Sequence, residues 1–315
     1  MLPRLSLGLL ASAISVVSLP AIAQEGTAED LGVMSISLKD VVKPTLGFQG
    51  ALQGAGTPNQ AGIGGFLPLI VGDNSVVFAD VLANANFADF NNDSSLINTT
   101  VAGTTISTSS RLGYRWLNDD RSWMYGINAG YDTRPMATGC ADTGISVNNR
   151  STVFFQQAAV NSEAVSDFWS FNAYALLPTG IKDAELNDIY QGGSLNTYGL
   201  DTGYNITPEL QATVGYYYQH GDINTADGSG VFGRLAYAIN NGLTVGANLS
   251  YDEAFDTRFS ADITWRFNTN GGPSKDTLKT NAAVEALTST PGNRDVRVHD
   301  YTGLTTPPFT ARARW

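Results

Sequence analysis

Two histidines, one cysteine and one glycine fingerprint are what this 315-residue chain offers to conventional catalysis. His220 precedes Asp222 by two residues, the acid–base pair an outer-rim protease would use. An acid–base pair alone is a weak constellation, and a girdle or loop histidine is the better reading of it. Cys140 is single, which excludes a disulfide framework and any multi-cysteine metal site. It falls in a stretch, 132–149, that reads as a loop. Gly228-Ser-Gly230-Val-Phe-Gly233 matches the dinucleotide fingerprint, but that motif needs a strand before it and a helix after it. Here a loop precedes and a strand follows. The sequon at Asn98-Thr-Thr is what chance supplies in an Asn/Thr-rich chain. No catalytic group, cofactor or metal site is expected, and the chain reads as a non-enzyme.

The chemistry that remains is electrostatic. Asp80, Arg111, Arg115, Asp201, Arg234, Asp252, Arg258, Asp262 and Arg266 all fall on the less apolar side of segments whose other side is greasy. Mixed Arg and Asp on a glycine- and serine-rich face is the composition of a hydrated, ion-paired lumen. The overall balance, 29 acidic against 18 basic residues, argues against a nucleic-acid partner, which requires a basic face. Charged residues make up only 15% of the chain, well below the roughly 25% of soluble domains.

A period of two must position those charges. It is plain in Ile106, Leu112, Tyr114, Trp116; in Trp123, Tyr125, Ile127, Ala129, Tyr131; and in Leu243, Val245, Ala247, Leu249, Tyr251. Twelve such segments are expected: 45–52, 62–70, 76–87, 104–117, 122–131, 150–160, 167–178, 194–204, 210–220, 230–239, 243–252 and 258–267. Most are near the 9–11 residues that a tilted strand needs to cross a bilayer. Short connections such as Gly72-Asp73-Asn74 and Asn240-Asn241-Gly242 alternate with longer ones near 88–103, 132–149, 179–193 and 221–229. Short periplasmic turns and long outer loops are the habit of outer-membrane barrels. The expected fold is all-β, a twelve-stranded antiparallel up-and-down transmembrane barrel. Trp116, Trp123, Trp169, Trp265 and Phe267 then share the periplasmic end, as one aromatic girdle at the lipid boundary.

The first 23 residues read as a secretory signal peptide: Arg4, an apolar run over 5–19, and Ala21-Ile22-Ala23 before Gln24. Residues 24–44 would be a short periplasmic segment, 45–267 the barrel, and 268–315 a C-terminal tail.

Residues 113–134, GYRWLNDDRSWMYGINAGYDTR, resemble the β-domain of inverse autotransporters, the intimin/invasin family. The likeness continues in SDFWSFNAYALLPTG (166–180) and LNTYGLDTGYNITPELQATVGYYYQHGD (195–222), and it closes on ADITWRF (261–267). It implies a twelve-strand translocator, barrel-assembly machinery as a partner beside the membrane lipid, and a chain that re-enters the lumen after its last strand. Two departures stand out: 24–44 is too short for a peptidoglycan-binding domain, and 268–315 has no room for a large passenger.

Those last 48 residues, extended, would reach roughly 160 Å against a hydrocarbon core of about 30 Å. Residues 279–287 (KTNAAVEAL) are a helical candidate, ended by Thr290-Pro291-Gly292. Arg294, Arg297 and Asp300 offer charges to the lumen wall. The tail is thus a lumen plug, a rudimentary passenger or a loose periplasmic end, and its final FTARARW alternates like a strand. Three functions stay open: a translocator that anchors and exports its own short tail, a small porin-like channel, and a secreted soluble β-sandwich.

Overall fold

The computed structural model describes residues 36–53, 57–87, 99–101, 104–142, 145–221, 227–240, 242–268 and 281–302. The expected signal peptide, Asp222 and the terminal FTARARW lie outside the described residues.

The strands are β1 (Thr45–Leu52), β2 (Asn59–Val71), β3 (Ser75–Phe87), β4 (Thr99–Val101), β5 (Thr105–Leu117), β6 (Trp123–Asp142), β7 (Ile145–Ser146) and β8 (Thr152–Ser166). They continue with β9 (Trp169–Thr179), β10 (Asp183–Glu185), β11 (Tyr190–Asn205), β12 (Leu210–Gly221), β13 (Gly228–Asn240), β14 (Leu243–Asp252), β15 (Asp256–Asn268) and β16 (Val298–Thr302). Twelve of them form the wall, each antiparallel to its sequence neighbour, and β15 closes on β1 through pairs such as Phe48↔Trp265. Strands β4, β7, β10 and β16 are short and pair at the rim.

Closure explains the inverted hydropathy. With no sheet edge left to satisfy, the alternation can send apolar side chains outward and charged ones inward. Leu112, Val214, Leu235 and Phe259 are exposed, whereas Arg111, Arg115, Asp80 and Asp252 are buried. A soluble sandwich would bury the first set, and that alternative fails on it.

Several expected boundaries move. Strand β6 runs to Asp142, eleven residues past its expected end, so 132–149 is largely strand and exposed Cys140 sits on it. Past the lipid the strand needs no hydropathy alternation, because its backbone pairs with β8, β4 and β7. Strand β8 similarly reaches Ser166 rather than 160. Gly228 to Gly233 is itself part of β13, which leaves the fingerprint no phosphate cradle.

One turn sets a sharp requirement. Gly242, between β13 and β14, has φ +96, and a Cβ there would lie 2.1 Å from the Arg266 carbonyl oxygen. Gly242→Ala therefore combines a left-handed strain of about 1–3 kcal/mol with a backbone clash. A lowered unfolding midpoint of the purified barrel is the expected result; an unchanged midpoint would contradict this turn geometry.

Candidate functional site: the lumen and its C-terminal segment

The inner wall is built by every second residue of each strand, which is why the charges spaced two or four apart in sequence converge in space. Arg111 on β5 forks onto Asp132 of β6 at 2.6 and 2.8 Å, both side chains almost wholly buried. Gln157 of β8 donates to the same carboxylate at 2.8 Å. Arg115 grips Glu163 of β8 through Nε at 2.7 Å and lies 4.5 Å over the Phe78 ring. On the opposite wall Arg234 pairs with Asp262, and Asn248 donates to Asp262 at 3.2 Å. Two-point guanidinium–carboxylate contacts are the strong form of this bond, and in a desolvated site each charge needs its partner.

Residues 281–302 occupy the space those walls enclose. The short helix Ala282–Ala286 is capped by Asn281, whose side chain accepts from the Val284 N–H. That helix starts at the short-turn end of the barrel. Asn281 Nδ2 donates to the Arg121 carbonyl at 2.8 Å, and the Ala282 N–H donates to Asp167 at 2.9 Å. Arg115 then donates to the carbonyls of Leu287 and Ser289 at 3.1 and 2.6 Å, taking up acceptors the helix end leaves free.

Further along, Arg294 pairs with Asp80 at 2.6 Å, and Thr290 donates to the other Asp80 oxygen at 3.2 Å. Asp295 accepts from Gln60 at 2.7 Å, while Arg134 donates to the Val296 carbonyl at 2.8 Å. Val296 and Val298 enter an apolar cluster with Met136, Phe155, Leu186, Leu195 and Phe255. The segment ends as β16, paired to β11 from Ser194↔Val298 to Tyr190↔Thr302, at the long-loop end. It therefore traverses the barrel from one end to the other.

All nine charged residues singled out from the sequence face inward, but in different company. Asp80, Arg111, Arg115 and Arg266 reach the C-terminal segment, Arg266 through the Thr288 carbonyl at 3.3 Å. Asp252 and Arg258 form their own pair at 2.6 Å, joined by the Tyr217 hydroxyl, which donates to Asp252 at 2.5 Å. Among the described residues Asp201 meets no arginine within salt-bridge distance; the Asn172 and Asn293 amides donate to it, each at 3.4 Å. The alternation in the sequence does not single out Asp132, Arg134 and Glu163, because it predicts strands that stop at 131 and 160. Their signal was present, since they continue the inward register of Asn128 and Asn161. Tyr217 is an aromatic on the polar face, buried between the exposed Tyr216 and Tyr218, and the hydropathy pattern does not mark it. Its ring lies against Gly230, where a Cβ would be 2.2 Å from Tyr217 Cζ.

The aromatic residues form a second, outward arrangement. Tyr114, Trp116, Tyr125, Trp123, Phe171, Trp169 and Tyr204 follow one another at centroid distances of 4.8 to 6.3 Å around the short-turn end. Trp265 and Phe267 extend it on β15, with Phe267 5.8 Å from Phe48.

His220 pairs with Asp227, at 2.6 Å, on the exposed long-loop rim. The Gly221 N–H and then His220 hold the Asp227 carboxyl below its usual range. Among the described residues no group of His, Cys, Asp and Glu is arranged to hold a metal.

No family model matches this chain, and no curated protein does. Solved structures do. One, from work on "Unveiling the Mechanism Behind the in-meso Crystallization of Membrane Proteins", aligns over 82% of this chain and all of its own, with TM-score 0.58 and 12% identity. An outer-membrane channel from Pseudomonas putida F1 aligns over 72% of this chain and 96% of its own, at TM-score 0.43 and 12% identity. The KdgM porin covers 71% and 99%, at 0.39 and 9%. At such identity the first likeness speaks for the fold alone, and with the ring of pairings it makes this chain a closed twelve-stranded antiparallel barrel.

Proposed function

We propose that this chain is an outer-membrane barrel of the inverse-autotransporter kind, which anchors in the lipid and leads its own C-terminal segment through the lumen toward the cell surface. One observation carries the reading: residues 281–302 run from the turns holding Arg121 and Asp167 to the rim at Tyr190, fixed by side-chain and backbone contacts throughout. A polar tail left loose at one end has no reason to match buried wall charges such as Asp80. With short turns in the periplasm and long loops outside, the direction of travel is outward. The partners are lipid, the assembly machinery that the sequence resemblance implies, and the segment itself. No catalysis is assigned.

The test is an epitope tag after Trp315, probed with antibody on intact and permeabilised cells, with a control tag near Asp222. Labelling of intact cells is the expected result. Labelling only after permeabilisation would overturn outward passage and favour the second reading, a porin-like channel. That reading has one observation of its own, the solvent-accessible Arg234–Asp262 pair in the lumen.

A further inference from the structure

The C-terminal segment does not fill the lumen evenly. On β3, β5, β6, β8 and β9 most inward side chains are buried, from Phe78 and Asp80 through Arg111, Asn128 and Asn161 to Tyr174, with partly exposed ones such as Ser107, Glu163 and Asn172 among them. On β12 to β15 and on β1 the inward residues Thr213, Ala236, Asn248, Ser260, Thr264 and Gln49 are all reachable by solvent. The ion pairs divide the same way. Arg234 and Asp262 keep side-chain exposures of 28% and 21%, against 0% and 1% for Arg111 and Asp132. Gly292 of the segment is exposed although it lies between buried Pro291 and the half-buried Asn293. A small cavity between segment and wall is lined by Gln49, Thr264, Arg266, Thr290 and Arg294.

Toward the long-loop end this space closes. Asp252, at the outer end of β14, is wholly buried. It accepts from the Tyr217 hydroxyl at 2.5 Å, from Arg258 at 2.6 Å and from the Phe255 N–H at 2.8 Å. Arg297 of the segment stacks 4.3 Å over the Tyr217 ring and donates to Gln219 at 3.3 Å. These contacts tie β12, β14, β15 and the segment into one partition.

We propose that the barrel keeps an aqueous path for small hydrated ions, running along β12–β15 and β1 beside the segment and gated at its outer mouth by the Tyr217–Asp252–Arg258–Arg297 cluster. This rests on the reading that the segment lies within a membrane-inserted barrel. The path is mostly polar, interrupted on β13 by Phe232 and Ala236, and at its centre it sets cationic Arg234 against anionic Asp262, a lining that water and ions of either sign tolerate. Tyr217 is the movable part. Its flat position on Gly230 is what lets Arg297 cover it, and removing the ring removes the stack and one of the four donors to Asp252, the others being Arg258 and the Ala254 and Phe255 N–H groups.

Two measurements on the full chain test this. In a Cys140→Ser background, single cysteines at Ala236 or Ser260 should react with a small water-soluble thiol reagent about tenfold faster than cysteines at Asn128 or Asn161. In planar bilayers in potassium chloride, Tyr217→Ala should raise conductance about threefold or more over wild type, with Tyr217→Phe, which keeps the ring, in between. Equal, slow labelling at all four positions would overturn the path, whether or not the tyrosine variants fold. Fast labelling at Ala236 and Ser260 with no change of conductance in Tyr217→Ala would overturn the gate. Neither result bears on the surface tag: a tag exposed on intact cells with slow labelling throughout would leave outward passage standing and remove only the path.

Discussion

Leu235→Arg is expected to keep the barrel from assembling. Leu235 lies near the middle of β13, is 54% exposed and points away from the lumen between Ala212 and Ala247 on the neighbouring strands. Arginine at the bilayer midplane of a barrel costs about 2–4 kcal/mol. That corresponds to roughly a thirtyfold or greater loss in the folded-to-unfolded ratio. The adjacent Arg234→Leu is the control. It deletes the Arg234–Asp262 pair, but in the most solvent-accessible part of the lumen, where water can take over the carboxylate. The heat-modifiable, folded fraction recovered from outer membranes should collapse for Leu235→Arg and stay near wild type for Arg234→Leu. Equal recovery of the two would mean that the inside and outside of β13 have been exchanged.

That prediction needed little beyond the sequence, because the lipid boundary imposes strict alternation on the spanning residues and forbids charge on one side. Strand β1 and strand β14 begin and end where the alternation does. The rule fails where the lipid stops. Residues 133–142 carry Pro135, Gly139 and a run of small side chains from Ala137 to Ala141, which give no apolar alternation, and backbone pairing extends β6 there. Arg134, which holds the Val296 carbonyl, was out of sight for that reason. The helix at Ala282–Ala286 was legible from its alanines and its terminating Pro-Gly. Its destination was not, since a polar tail is as soluble outside the barrel as inside. Only distant contacts fix it, such as that of Thr290 with Asp80, 210 residues away in sequence. His220 makes the same point at short range: it meets Asp227, because the backbone N–H of Gly221 orients that carboxylate beside it.

Asp80→Ala should release the C-terminal segment while leaving the wall intact. Asp80 is 1% exposed, and its side-chain partners, Arg294 and Thr290, both belong to the segment. Its cross-strand neighbour Arg111 does not compensate, being committed to Asp132. Truncation therefore strands the Arg294 guanidinium, 8% exposed, beside another arginine. Leaving one member of a buried pair alone costs about 3–5 kcal/mol, whereas removing both is close to neutral. The cost falls on the segment rather than the barrel, because β3 keeps its outward Val81 and its full ladder to β2 and β5. Protease cleavage between residues 287 and 297 should become rapid in Asp80→Ala, with the folded barrel band unchanged. The double variant Asp80→Ala/Arg294→Ala should recover much of the protection, since the apolar anchor at Val296 and Val298 remains. Arg111→Met provides the contrast. It orphans Asp132 inside the wall and touches the segment only through the Asn293 carbonyl, so its loss should appear in the unfolding midpoint of the barrel before it appears in cleavage. If Asp80→Ala left the segment as protected as wild type, its hold on the lumen would have to come from its other contacts, the Asn281 cap, Arg115, Arg134, the Val296 and Val298 anchor and the β16 pairing, and the central ion pair would be incidental.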